Sequence, residues 1–155
     1  MAEEFKCTRS ILIEAPASLI TPMVADLHRH VSWSPFSKPD PRTKDSYSGA
    51  PGAGQSRSFE GGQFGAGVIR IETVESERIT MRLDMRKPMK VSNLIEFTLV
   101  PEGAATRVSW GISGPVTLMW RVMSLFMDCD KMCGRHLEEG LANLKAEMEG
   151  RRAAA

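Results

Sequence analysis

At 155 residues the chain is long enough for one domain with a continuous core and an enclosed cavity, and short for two. Twenty basic residues against nineteen acidic leave a formal charge of +1, and no basic run interleaves with aromatics as a nucleic-acid surface requires. The opening MAEEFKCTRS lacks the apolar stretch of a secretory signal, no eighteen apolar residues run together as stable membrane insertion demands, and three cysteines make no disulfide framework, so a cytoplasmic protein with reduced thiols is expected.

Phe5, Cys7, Ile11 and Ile13 alternate in period two across FKCTRSILIE, which reads as a strand ended by Ala15-Pro16. Proline at a helix start gives up only an amide hydrogen that has no partner there, so ASLITPMVADLHRH is read as one or two short helices, divided or kinked at Pro22. A Pro-, Gly- and Ser-rich stretch follows from Val31, with a short strand around Thr43–Ser48 and a hairpin turn at GAPGAG. QSRSFEG, GVIRIETVES, RITMRLDM, VSNLIEFTLV and ATRVSWGIS are each of strand length, and the short turns at 75–77, 87–90 and 101–104 make them antiparallel neighbours.

From Pro115 the period changes. Val122, Phe126, Cys129, Cys133, Leu137, Leu141, Leu144 and Met148 recur at three or four, the mark of a long amphipathic helix, and GRRAAA at 150–155 is a tail. The order of strand, short helices, six strands and long helix belongs to the α+β class, read as one domain over 1–155 with its core at about 5–149. A curved sheet crossed by one helix leaves space between the two, and ten methionines suit an adaptable apolar lining there.

RSILIEAPASLI, then WSPF and DP within 33–41, YSG at 47–49, FGAG and the closing FMDCDKMCGRHLEEGLANLKAEME together resemble the SRPBCC, or START-like, superfamily, in its polyketide cyclase/dehydrase and lipid-transport branch. The resemblance implies a helix-grip fold, a seven-stranded antiparallel sheet wrapped around a carboxyl-terminal helix with an apolar cavity between them. It also implies a hydrophobic small-molecule ligand, lipid- or polyketide-like, and for some members cyclisation or dehydration. Sequences of this type often carry an aromatic on the third strand where this chain has Arg57, two before Phe59.

Strand parity with the more apolar face inward selects Ile11 and Ile13, Ile69 and Ile71, Ile79, Met81, Leu83 and Met85, Ile95, Phe97 and Leu99, and Val108, Trp110 and Ile112. Arg9, Arg57 and Asn93 stand in phase with these apolar sets. A buried guanidinium needs a carboxylate, water or an anionic ligand, so Arg57 either snorkels from a strand end or orients the acidic head of a ligand. Trp33 and Phe36, in the long loop, either cap a cavity entrance or plug the end of the sheet; Tyr47 offers a hydroxyl to ligand or to backbone.

Cys129, Cys133 and His136 fall within about 60° of arc on an ideal helix, close enough to share a metal. No further ligand pair completes a zinc set, so the expectation is no metal and no cofactor, with both cysteines as small apolar wall residues beside Phe126 and with room left by Gly134 and Gly140. Asp128 reads as the cap of a final helix that starts after a break near 127, with Asp130 in its first turn; the alternative places Asp130 as an acid in the cavity.

The leading expectation is a protein that binds or carries a hydrophobic small molecule. Its rivals are a cyclase or dehydratase using Asp130, His136, Tyr47 or Arg57, and a protein-interaction module.

Overall fold

The computed structural model describes residues 4–154, leaving out the side chains at 129, 130 and 151–154. The chain runs β1 (Glu4–Ile13), α1 (Ala17–Val24), β2 (Lys44–Ser48), β3 (Ser56–Gly62), β4 (Gly65–Val74), β5 (Arg78–Lys87), β6 (Val91–Glu102), β7 (Ala105–Pro115), α2 (Leu118–Ser124) and α3 (Cys129–Ala154). Two 3₁₀ turns, Arg29–Ser32 and Pro35–Ser37, interrupt the long loop after α1. The seven strands form one antiparallel sheet in the order β1-β7-β6-β5-β4-β3-β2.

The six later strands meander, as their short turns require, and β1 closes the order beside β7, where Ile11 lies opposite Val108. GAPGAG forms the β2–β3 turn with Gly49, Gly52 and Gly54 at φ of 90°, 104° and 96°, a backbone region in which a side chain is strained. Pro16 precedes α1 as expected, and Pro22 lies inside that single helix.

One face of the sheet and one stripe of α3 make the core. Ile71, Ile79, Met81, Phe97, Leu99 and Val108 are buried against Leu137, Leu141, Leu144 and Met148, which recur at helical spacing. Polar links fasten α3 along β1: Arg9 Nε donates to Glu138 Oε1 at 2.9 Å, and Lys145 Nζ donates to the Leu12 carbonyl at 2.9 Å.

The helical period seen from Pro115 is not one helix. Thr117 Oγ1 accepts from the Trp120 amide at 3.1 Å and caps α2; Asp128 Oδ1 accepts from the Lys131 amide at 3.0 Å and caps α3. With the break between them, the first part of the apolar stripe leaves the sheet. Phe126, expected as a cavity wall, is 83% exposed, and Leu118, Val122 and Leu125 share its exposed side.

The room expected at Gly134 and Gly140 is taken by protein. A Cβ on Gly134 would lie 2.3 Å from Arg9 Nη2, and one on Gly140 would lie 2.6 Å from Trp110 Cζ3. These glycines let α3 approach a guanidinium and an indole; neither makes space for a ligand. No helix among the described residues is long and apolar enough to cross a membrane.

Candidate functional site

The concave face of the sheet and α3 do not fill the space between them. An inner cavity of about 270 Å³ is walled by Ile69 from β4, Met81, Leu83 and Met85 from β5, Ile95 and Phe97 from β6, Trp110 and Ile112 from β7, and Leu137 from α3. The loop after α1 contributes His30, Ser34, Phe36 and Ser37, and β6 contributes Asn93. An outer space of about 380 Å³ shares Phe36, Arg57, Phe59 and Phe64 with the inner one and is edged by Lys38, Asp40, His136 and Glu139. Arg57 thus stands where the two spaces meet.

Arg57 does not snorkel to bulk water. It is 7% exposed, donates from Nε to Asp45 Oδ1 at 2.7 Å and from Nη1 to Ser37 Oγ at 3.3 Å, and lies with its guanidinium carbon 5.2 Å from the Phe59 ring centre. Asp45, with a side chain 32% exposed, supplies the opposite charge from the neighbouring strand. Removing one member of a fully buried pair costs about 3–5 kcal/mol, and the solvent access of Asp45 lowers that here. Asp45→Ala is therefore expected to lose about 2 kcal/mol in urea unfolding, because it strands the buried guanidinium, whereas Arg57→Met leaves a carboxylate that water can reach and loses less.

His30 is the titratable group that the sequence pattern did not single out. It is buried, its Nε2 lies 2.7 Å from the Val24 carbonyl, and its ring packs 4.7 Å from that of Trp33. Burial pushes its pKa down to about 4, the Val24 hydrogen bond opposes that, and nearby Arg57 adds to it. Burial keeps the ring neutral at ordinary pH, and because Nε2 donates to the carbonyl, Nδ1 is its basic atom. Asn93 is a further polar wall residue: it is 8% exposed, and its buried Oδ1 has no hydrogen-bond partner among the described residues.

The sequence model of the family described as polyketide cyclase / dehydrase and lipid transport matches residues 4–149. The chain belongs to that family. No curated protein matches it significantly. Among solved structures, a Staphylococcus aureus protein of unknown function is similar at TM-score 0.70 and 13% identity, covering 98% of each chain. Norcoclaurine synthase from Thalictrum flavum is similar at TM-score 0.67 and 10% identity, over 96% of this chain and 98% of that one. The Aha1 protein from Colwellia psychrerythraea, solved as a dimer, is similar at TM-score 0.65 and 16% identity, over 94% and 96%. At these identities the likeness is one of fold, the helix-grip arrangement common to this START-like group.

Within this member of the polyketide cyclase/dehydrase and lipid-transport family, the structure separates the residues singled out from sequence. Arg57, Phe59, Phe36, Met81, Leu83, Met85, Asn93, Ile95, Phe97 and Trp110 line the inner cavity. Ile71 and Trp33 do not, because both lie deeper in the core; Trp33 is 1% exposed and donates from Nε1 to the Met23 carbonyl at 3.1 Å, which makes it a plug and not a cap. Cys133 packs half-buried against the core beside the cavity walls without lining them, and the side chains of Cys129 and Asp130 lie outside the described residues.

Tyr47 stacks on His28 with ring centres 4.0 Å apart, outside the cavity, and burial raises the pKa of its hydroxyl. His136 edges the outer space, where Nδ1 donates to the Met132 carbonyl at 3.0 Å and the ring lies 5.3 Å from that of Phe36. Among the described residues no three His, Cys, Asp or Glu side chains gather as a metal site. His30, Ser34, Ser37 and Phe64 escaped the sequence reading because loops carry no period that would assign them a face.

Proposed function

We propose that this chain is a cytoplasmic protein that binds or carries an apolar small molecule of lipid- or polyketide-like character in the inner cavity, with Arg57 holding an acidic or carbonyl oxygen of that molecule at the junction with the outer space. The observation that carries the reading is a buried cation set among apolar and aromatic walls where the two spaces meet. Apolar contact supplies roughly 25 cal/mol per Å² of surface removed from water, and the guanidinium supplies orientation.

Denaturing extraction of natively purified protein followed by mass spectrometry is expected to release an apolar molecule. In thermal-shift titrations decanoate is expected to stabilise the protein, and Arg57→Met to weaken decanoate binding roughly tenfold while leaving decanol unchanged, as loss of one charge-assisted hydrogen bond dictates. An empty extract together with no shift across lipids, sterols and polyketide-like compounds sinks the reading.

His30 favours a second reading, an enzyme of the cyclase or dehydratase kind. A neutral imidazole on a cavity wall has one nitrogen free to take a proton, and a lowered pKa keeps it in the base form. On this reading His30→Gln is expected to abolish turnover of a poly-β-carbonyl substrate and to leave binding of decanoate in place; turnover unchanged in the variant removes His30 from the chemistry.

A further inference from the structure

Strand register joins Arg57 to Asn93. Arg57 pairs with Ile69 on β4, Ile69 pairs with Leu83 on β5, and Leu83 pairs with Asn93 on β6. All four line the inner cavity, so one cross-strand row carries a polar group at each end and two apolar side chains between them. Three strand spacings separate the two ends by roughly 14 Å along the sheet.

The two ends differ in how they are satisfied. Arg57 has Asp45 and Ser37. The Oδ1 of Asn93 has no partner among the described residues, the residue being only 8% exposed, and Gly114 accommodates it: a Cβ there would lie 2.0 Å from that oxygen. A buried amide oxygen without a hydrogen bond is costly, and leucine or methionine, as at Met81, Leu83 and Met85 on the neighbouring strand, would seal the wall better against a purely apolar ligand. The Asn93 amide is therefore useful when something polar arrives beside it.

We propose that the ligand carries a second polar group, a hydroxyl, at the end away from its acidic head, and that Asn93 binds that hydroxyl at the far side of the apolar body. A hydroxyl suits the amide in either orientation, since it donates to oxygen and accepts from nitrogen. The ligand class is thus a hydroxylated apolar acid with its polar groups at opposite ends, which makes Asn93 a specificity-determining residue. The proposal rests on the cavity reading given above and adds the distal hydroxyl to it.

Two probe pairs that differ only in that hydroxyl separate the two claims: decanoic acid against 10-hydroxydecanoic acid, and 2-naphthoic acid against 6-hydroxy-2-naphthoic acid. Calorimetric titration of the wild-type protein is expected to show the hydroxy acid binding about tenfold tighter in the pair whose body fits. In Asn93→Leu that preference reverses, since a hydroxyl moved into an apolar wall without a partner loses its water for nothing. The ligand-free variant is expected to unfold at no lower urea concentration than wild type, because the orphaned Oδ1 made no protein bond to lose.

If the parent acids bind as tightly as the hydroxy acids in both pairs, the proposal is overturned and the cavity reading stands. A hydroxyl preference that survives in Asn93→Leu also overturns it, since another group then reads the hydroxyl. Failure of all four probes to bind overturns both.

Discussion

Replacing Trp33 by alanine is expected to cost about 4 kcal/mol of unfolding free energy, the largest effect of any single substitution considered for this protein. The indole is 1% exposed, its Nε1 donates to the Met23 carbonyl at 3.1 Å, and its edges meet Phe97 and Trp110 with ring centres 6.0 and 5.4 Å away. Alanine removes that apolar surface, leaves the Met23 carbonyl unpaired and opens a void next to two cavity walls. Trp33→Phe keeps most of the ring and loses chiefly the hydrogen bond, for about 1–2 kcal/mol.

Urea unfolding followed by far-UV circular dichroism measures both. A loss below about 2 kcal/mol for the alanine variant would return Trp33 to the role of a mobile entrance cap. A second consequence reaches function. The void adjoins the inner cavity through Phe97 and Trp110, so a Trp33→Ala protein that stays folded should accept bulkier apolar ligands than wild type.

Strands such as β6, where Asn93, Ile95, Phe97 and Leu99 are buried in alternation, were legible because one face is buried and period two then sorts the side chains, whereas β2 buries no residue; Arg57 and Asn93 are conspicuous because they stand in phase with isoleucine, leucine and methionine. The cap at Asp128 was legible too, since an aspartate just before a helical run has a specific backbone use. What period could not say is which partner a face has. Leu118 and Val122 keep helical spacing on α2, and Leu125 and Phe126 continue it just past the helix end, yet the break before α3 leaves all four exposed, a tertiary outcome that spacing alone does not contain.

The glycines teach the same limit. Gly134 and Gly140 are small in the sequence, but only the positions of Arg9 and Trp110 tell that the space above them is occupied. In the loop after α1, Trp33 and Phe36 are three residues apart and chemically alike, yet one is core and the other is cavity wall. His30, in the same loop, had no face to be assigned and emerges only when its ring is seen against Val24 and Trp33.

Acidification is expected to weaken the fold through that histidine. Its folded pKa lies near 4, below the ordinary histidine value of 6.5, chiefly because burial disfavours the imidazolium. Between those two values the unfolded chain binds a proton at this site that the folded chain refuses, so the stabilising contribution is complete above about pH 6.5 and is lost as the pH falls toward 4. The full loss comes to about 3 kcal/mol at 1.36 kcal/mol per pH unit.

Carboxylates add their own acid dependence, shared by wild type and a His30→Gln variant, whose amide can still donate to the Val24 carbonyl. Wild type should therefore lose about 3 kcal/mol of urea stability relative to the variant between pH 7 and pH 4; a difference independent of pH would show that His30 is not buried neutral. Arg57 supplies part of the depression, so a carboxylate ligand seated beside that guanidinium opposes it. Decanoate binding is then expected to raise the His30 pKa, read from its imidazole NMR signals, and the rise should disappear in Arg57→Met if that guanidinium is where the acid sits.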